Sequence, residues 1–227
     1  NHSCALRSNG RVSCWGTATF GELGLPTINQ TSVPVEVPGL HNATSVTIGY
    51  YTTCATRKGA APVCFGWNAF GQLGKGDKNN SQVPVAPSDP PAANRIAVGR
   101  EHVCWRSNGS AWCAGYAANG QLANGGTTDQ LKPVLTLFGS ELLDLAAGQR
   151  HTCALLGDGT VRCAGRGLER QLGNGLSVNT VAIPVEVEGS NAAPDAGQAD
   201  CATAADCADD GLACTVASCA PGLLPGD

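Results

Sequence analysis

Four segments of about fifty residues follow one another along this chain, and each carries two cysteines nine or ten positions apart. The first cysteine of each pair sits in NHSCAL, YTTCAT, EHVCWR and RHTCAL, and the second in VSCWG, PVCFG, AWCAG and VRCAG. Behind them come FGELG, FGQLG, NGQLA and RQLG, then VPVEV, VPVAP, KPVL and IPVEV. Three units also carry an apolar stretch ending in glycine ahead of the first cysteine: VTIG, IAVG and LAAG. Such a period constrains the fold before any local motif does, because each unit can bury its apolar face only against its neighbours. Every unit holds about four short strand candidates bounded by Gly, Asn, Asp or Pro. No window shows the i, i+3, i+4, i+7 apolar stripe of a helix longer than a turn or two. The expected fold is all-β: a β-propeller of four-stranded blades, about four of them present.

The repeats occupy residues 1–188, in units of about 1–45, 46–95, 96–144 and 145–188. Residues 189–200 read as a Pro/Ala/Gly linker and 201–227 as a small cysteine-rich module. A module that short cannot bury enough apolar surface alone, so disulfides are its expected staple. With 30 Gly, 13 Pro and 14% charged side chains among 227 residues, the composition suits many short strands and tight turns. The chain has no Met and its first unit opens at the second strand, which reads as a processed form or fragment of a longer product. Residues 1–190 carry a net charge of +2 and residues 191–227 carry six acids and no base. No basic cluster or stripe marks a nucleic-acid surface, and no apolar run approaches the roughly 18–20 residues that span a bilayer. Attachment to a cell surface would have to come through regions outside this sequence.

The twelve cysteines fall as Cys4/Cys14, Cys54/Cys64, Cys104/Cys113 and Cys153/Cys163, then Cys201, Cys207, Cys214 and Cys219. No C-x-x-C occurs and the nearby His do not follow zinc-finger spacing. Disulfides are therefore preferred over zinc or free buried thiols, which places the chain in an oxidising, extracellular or cell-surface compartment. The spacing fits hairpins. Cys104 and Cys113 are symmetric about Asn108-Gly109, a two-residue loop of the I′ kind, while Ser8-Asn9-Gly10 and Gly157-Asp158-Gly159 read as three-residue loops ending in glycine. Facing residues on antiparallel strands are close enough for a disulfide.

The segment Gly148-x-x-His151-x-Cys153-Ala154-Leu155, with Cys14-Trp15-Gly16 and Phe70-Gly71-Gln72-Leu73-Gly74, resembles the RCC1-type repeat, the family named after the regulator of chromosome condensation. The resemblance covers about residues 1–188 and implies a propeller, in this family usually a ring of seven blades. Paired cysteines across the central hairpin look more like its secreted bacterial branch, which includes an inhibitor of β-lactamases. Departures from the repeat are Arg170 where the others have Gly21, Gly71 and Gly120, Ala123 in place of the final glycine, and Thr52 in place of His2, His102 and His151. The tail is similar to short Cys-rich extracellular repeats with an Asp-Cys-x-Asp-Gly-x-x-Cys-Thr core.

Candidate sites are weighed against packing roles. The His recurs once per unit at one register, so it is read as structural, and Trp15, Trp67, Trp105 and Trp112 are read as blade packing. Asp206, Asp209 and Asp210 lack the spacing of a calcium loop, and no cofactor or metal is expected. Five N-x-S/T sequons start at Asn1, Asn29, Asn42, Asn79 and Asn108. The loops at 25–32, 75–82, 124–132 and 174–180 differ from unit to unit and are the candidate binding surface, with Asn29, Gln30, Lys78, Asn79, Asp129, Gln130, Ser177 and Asn179 as its residues. The expected function is a non-enzymatic, secreted or surface scaffold that binds a protein. Alternatives are a guanine-nucleotide exchange factor for a small GTPase, which the family name implies, and a hydrolase with a site in the channel.

Overall fold

The computed structural model describes residues 1–88 and 92–190, and every regular element in them is a strand. The fifteen strands form four antiparallel sheets in chain order. Blade 1 contains β1 (His2–Leu6), β2 (Val12–Thr17) and β3 (Gln30–Glu36); blade 2 contains β4 (Ala43–Ile48), β5 (Thr52–Arg57), β6 (Ala60–Gly66) and β7 (Ser81–Val85). Blade 3 contains β8 (Arg95–Val98), β9 (His102–Ser107), β10 (Ser110–Gly115) and β11 (Gln130–Leu135); blade 4 contains β12 (Leu142–Ala147), β13 (His151–Leu156), β14 (Val161–Gly167) and β15 (Val178–Glu186). The all-β propeller architecture is as the repeat implies, and blade 1 has three strands among the described residues. Pro34, Pro84, Pro133 and Pro184 sit on the outermost strands, where a missing N–H does no harm and blunts the edge. The cysteine-rich module and the pairing of Cys201, Cys207, Cys214 and Cys219 lie outside the described residues.

Turn chemistry sets the register of each central hairpin. Asn108 and Gly109 both have positive φ, 48° and 75°, as a I′ turn requires. In the Ser8-Asn9-Gly10 loop, Gly10 N donates to Arg7 O at 2.9 Å and Arg7 N donates to Arg11 O at 2.8 Å. The Gly157-Asp158-Gly159 loop repeats this pattern between Leu156 and Thr160. With the register so fixed, Cys4 faces Cys14, Cys54 faces Cys64, Cys104 faces Cys113 and Cys153 faces Cys163. In all four pairs the sulfurs are at bonding distance and the Cα atoms are 4.1 Å apart.

The core is three layers between blades. Val12, Cys14 and Leu23 of blade 1 meet Ala55, Val63 and Phe65 of blade 2. Cys54, Cys64 and Leu73 meet Val103, Trp105 and Ala114 of blade 3. Cys104, Cys113, Leu122 and Phe138 meet Leu145, Ala154 and Ala164 of blade 4. The residues that follow the paired cysteines exchange volume from blade to blade: blade 2 has small Ala55 and large Phe65, blade 3 has large Trp105 and small Ala114, all fully buried.

The glycine turns stitch one blade to the next. A Cβ on Gly21 would lie 2.6 Å from Ser81 O, on Gly71 2.8 Å from Leu131 Cα, and on Gly120 2.5 Å from Ala182 Cα. Each turn thus presses its backbone onto the outer strand of the following blade. Arg170 holds the same left-handed conformation, φ 60°, but is exposed, so its side chain meets no such strand. Ala123 takes the position of the final glycine at φ 54° with its methyl fully buried in the layer between blades 3 and 4.

The repeated His is a strap between blades. His2 Nε2 lies 2.8 Å from Thr53 Oγ1, and that hydroxyl donates to Glu22 O at 2.8 Å. His102 Nε2, Thr152 Oγ1 and Gln121 O repeat the arrangement at 2.8 and 2.8 Å. A hydroxyl has one proton, and here the carbonyl takes it, so Nε2 carries the imidazole proton and donates. Where Thr52 replaces the His, the next blade has Val103 in place of the threonine, so the two halves of the strap are lost together.

These imidazoles are held neutral. Burial, then the charge of His151, pushes His102 down to about 3, and its Nδ1 is buried without a partner. Burial and the N-terminal ammonium push His2 down to about 4. Both folded values lie below the ordinary 6.5, so as pH falls the unfolded chain takes up protons first. Stability is expected to be full above about pH 6.5 and to drain between there and about pH 3, the lower end set by His102. One pKa unit is worth about 1.4 kcal/mol, so His102 alone makes the loss several kcal/mol. Thermal melts across this range check it: His102→Asn should flatten the slope, and a wild-type Tm unchanged from pH 6.5 to 4 would refute the strap's neutral state.

Candidate functional site

Strand alternation sorts the loops onto two faces. One face collects the hairpin turns at 7–11, 58–59, 108–109 and 157–159 and the blade-to-blade connections. The other collects the short turns 49–51, 99–101 and 148–150 and the long loops 18–29, 67–80, 116–129 and 168–177. This second face holds the candidate loops.

The long loops are ordered by their own motif. The Glu or Gln of each glycine turn accepts from the backbone two residues earlier: Glu22 from Phe20 N (2.7 Å), Gln72 from Phe70 N (3.1 Å), Gln121 from Asn119 N (3.0 Å) and Gln171 from Glu169 N (2.9 Å). In blade 2 the buried Asn68 amide donates to Asp77 O at 2.8 Å and Asn79 O at 3.0 Å, and its oxygen accepts from Leu73 N at 2.8 Å. Contacts to neighbouring Lys75 and the Asn79 N–H hold the Asp77 carboxyl below its usual range. Three of the residues singled out in sequence serve loop order: Asp129 accepts from Ala117 N, Ser177 donates to Leu168 O, and Asn179 accepts from the Asn119 amide. Gln130 is half-buried and donates to Thr128 O. Asn29, Gln30, Lys78 and Asn79 are exposed at the rim.

Across this face runs a ridge of aromatic rings. Phe20 packs edge-on to Tyr51 with centroids 5.1 Å apart, Tyr51 lies 5.9 Å from Trp67, Trp67 is 5.4 Å from Phe70, and Phe70 is 4.8 Å from Tyr116. Tyr50 extends it, 4.3 Å from Tyr51. Five of the six rings are half-buried and Tyr50 is exposed, so the ridge joins blades 1, 2 and 3 and keeps one side open. The neighbouring Tyr50 hydroxyl is the main cause that raises the Tyr51 phenol above its ordinary value. Trp67 is therefore a face residue rather than blade packing, because the loop after β6 turns it out of the layer that buries Trp105. The sequence reading missed Phe20, Tyr50, Tyr51, Phe70 and Tyr116. The available signal was register: the position after Cys-x-Gly is Thr17, Trp67, Tyr116 and Arg166, and the first of each glycine turn is Phe20, Phe70, Asn119 and Glu169. Blade 4 replaces both aromatics with an ion pair, Arg166 to Glu169 at 2.7 Å.

At the inner end of the ridge the short turns of blades 2, 3 and 4 border an open recess of about 530 Å³. Its lining includes Gly49, Gly99 and Gly148 with Tyr50, Arg100 and Gln149, and the glycines answer to close packing, since a Cβ on Gly49 would lie 2.5 Å from Val98 Cγ1 and one on Gly99 2.3 Å from His102 Cε1. The Arg100 guanidinium lies over the Tyr50 ring, 5.0 Å from its centroid. Its buried Nε is 3.5 Å from a Glu101 carboxylate oxygen and makes no hydrogen bond among the described residues. Among those residues no three His, Cys, Asp or Glu side chains cluster in a way that could hold a metal.

Comparison with known proteins agrees with this geometry. The family model for the regulator of chromosome condensation (RCC1) repeat matches residues 9–56, 64–105 and 108–155, and a second RCC1 repeat model matches 143–171. The chain is 35% identical over 98 residues to the human probable E3 ubiquitin-protein ligase HERC3, a stretch that is 41% of this chain and 9% of that protein. Among solved structures, yeast RCC1 (Prp20), crystallised bound to Kap60, superposes with a TM-score of 0.74 at 20% identity over 85% of this chain and 48% of that one. Human WBSCR16 superposes with a TM-score of 0.73 at 21% identity, over 82% and 50%. A second structure of Prp20p from Saccharomyces cerevisiae, reported with its binding to Gsp1p and histones, has a TM-score of 0.72. The chain spans about half the length of these structures.

Proposed function

This chain belongs to the RCC1 repeat family, and on that premise we propose that it is a non-enzymatic scaffold binding a protein through the face that carries the aromatic ridge. The ridge is the observation that carries the reading. Six rings of large area and little side-chain freedom stand open on a face whose loops are tied down by their own hydrogen bonds, the composition and rigidity of binding hot spots. The paired cysteines support a secreted or cell-surface setting, since thiols so placed stay oxidised outside the cytosol. That setting is also why binding is favoured over nucleotide exchange on a small GTPase. What Prp20p binds is a property of Prp20p, at 21% identity.

Capture from surface and secreted extracts tests the reading. The oxidised chain should retain a protein that is lost with Trp67→Ala or Phe70→Ala and kept with Lys58→Ala on the opposite face. A hot-spot aromatic is worth at least about 2 kcal/mol, or roughly a 30-fold loss of affinity. Retention that ignores the ridge substitutions, or acceleration of nucleotide release from a small GTPase, would overturn it.

A further inference from the structure

Resting on that binding-face reading, we infer that the recess at the inner end of the ridge is a carboxylate subsite, and that the partner is a protein segment placing an Asp or Glu side chain on Arg100 beside an aromatic or apolar residue on the Tyr50–Tyr51 end of the ridge.

Four observations converge on this pair. The Arg100 guanidinium carbon lies 5.0 Å from the centroid of the Tyr50 ring, a cation–π contact that restrains the side chain at the recess. Its Nε is buried and makes no hydrogen bond among the described residues, while the side chain as a whole is 38% exposed, so the exposed part of a planar fork that matches a carboxylate is what an incoming acid can reach. Glu101 neutralises part of the charge at 3.5 Å without making that bond. The recess beside Arg100 offers about 530 Å³ to an incoming residue.

The surroundings favour an acid. A second recess of about 300 Å³ shares Gln149 with the first and is lined by Arg150 and Arg166. Arg166 is paired with Glu169, so across the two recesses three arginines stand against Glu101 and Glu169. A single-stranded nucleic acid also stacks on aromatic rings and arginine. It is disfavoured because no basic stripe runs along the ridge.

Panning the oxidised full chain against a phage-displayed random dodecapeptide library tests the subsite. The expected peptides share an Asp or Glu close to an aromatic residue or proline. A synthetic copy of the leading peptide should bind Arg100→Ala at least about 10-fold more weakly, the size of a charge-assisted hydrogen bond. Arg100→Lys should restore only part of that affinity, since the ammonium lacks the fork, and a melt of each variant checks that folding is intact. Replacing the peptide's acid with Gln should weaken binding to the wild type and leave binding to Arg100→Ala unchanged. Peptides that need Trp67 but ignore Arg100 would overturn the subsite and leave the binding face standing. No enrichment would overturn both, and Arg100-dependent binding of a single-stranded oligonucleotide in place of the peptide would assign the face to bases.

Discussion

Reducing the four hairpin disulfides is expected to lower the Tm of residues 1–190 by about 20 °C or more, and to unfold much of the propeller at ordinary temperature. Each bridge closes a loop of nine or ten residues. In the chain-entropy account such a loop is worth about 2.5–3 kcal/mol, so four sum to roughly 10 kcal/mol, comparable with the whole stability of a typical domain. For a chain of this size each kcal/mol moves the midpoint by about 2–4 °C. Packing adds to the effect. Cys14, Cys54, Cys64, Cys104 and Cys113 are fully buried within the layers that join one blade to the next. Two thiols need more room than one S–S bond, so reduction overfills those layers. The damage therefore falls on the interfaces, where a repeat protein keeps its cooperativity. Circular dichroism melts with and without dithiothreitol, with thiols counted by alkylation, measure it. An unchanged midpoint with all eight thiols alkylated would show that the bridges do not hold the blades.

Much of this architecture could be read along the chain because it is local. Gly10, Asn108, Gly109 and Gly159 sit where the turn demands positive φ, so strand register and the facing of each cysteine pair follow from positions a few residues apart. The blade-to-blade chemistry was harder to read because its partners are a full repeat away. His2 means little until Thr53 is set beside it, and the loss of the His at Thr52 is explained by Val103 in the next blade. Gly120 is likewise explained by Ala182. The aromatic ridge is further from view, since it arises from neighbouring registers and two different loop types. Arg100 is the least legible of all. It occurs in one repeat only, and its significance depends on Tyr50 of the preceding blade and on the recess it shares with the turns of blades 2 and 4.

Gly120→Ala is expected to destabilise the fold by about 3 kcal/mol or more, and Arg170→Gly, at the equivalent position of blade 4, to change it by no more than about 1 kcal/mol. Both residues have positive φ, 80° and 60°, so backbone strain alone would penalise a side chain equally at either place. Surroundings make the difference. A methyl on Gly120 would sit 2.5 Å from Ala182 Cα and 2.6 Å from Ala182 N and Val181 O, all backbone atoms of β15 that have no rotamer to change. The turn can accept it only by lifting away from blade 4. That loses the hydrogen bonds from Val181 N to Asn119 O and from Gly125 N to Ala182 O, and opens the layer around Leu122 and Phe138. Arg170 is exposed, and its replacement by glycine relieves a left-handed residue without removing a buried contact, so the small change should be in the stabilising direction. Urea denaturation of the two variants against wild type reads both effects, and Arg170→Gly acts as an internal standard for the cost of conformation. A loss below about 1 kcal/mol for Gly120→Ala would mean that the blades are not clamped through these turns.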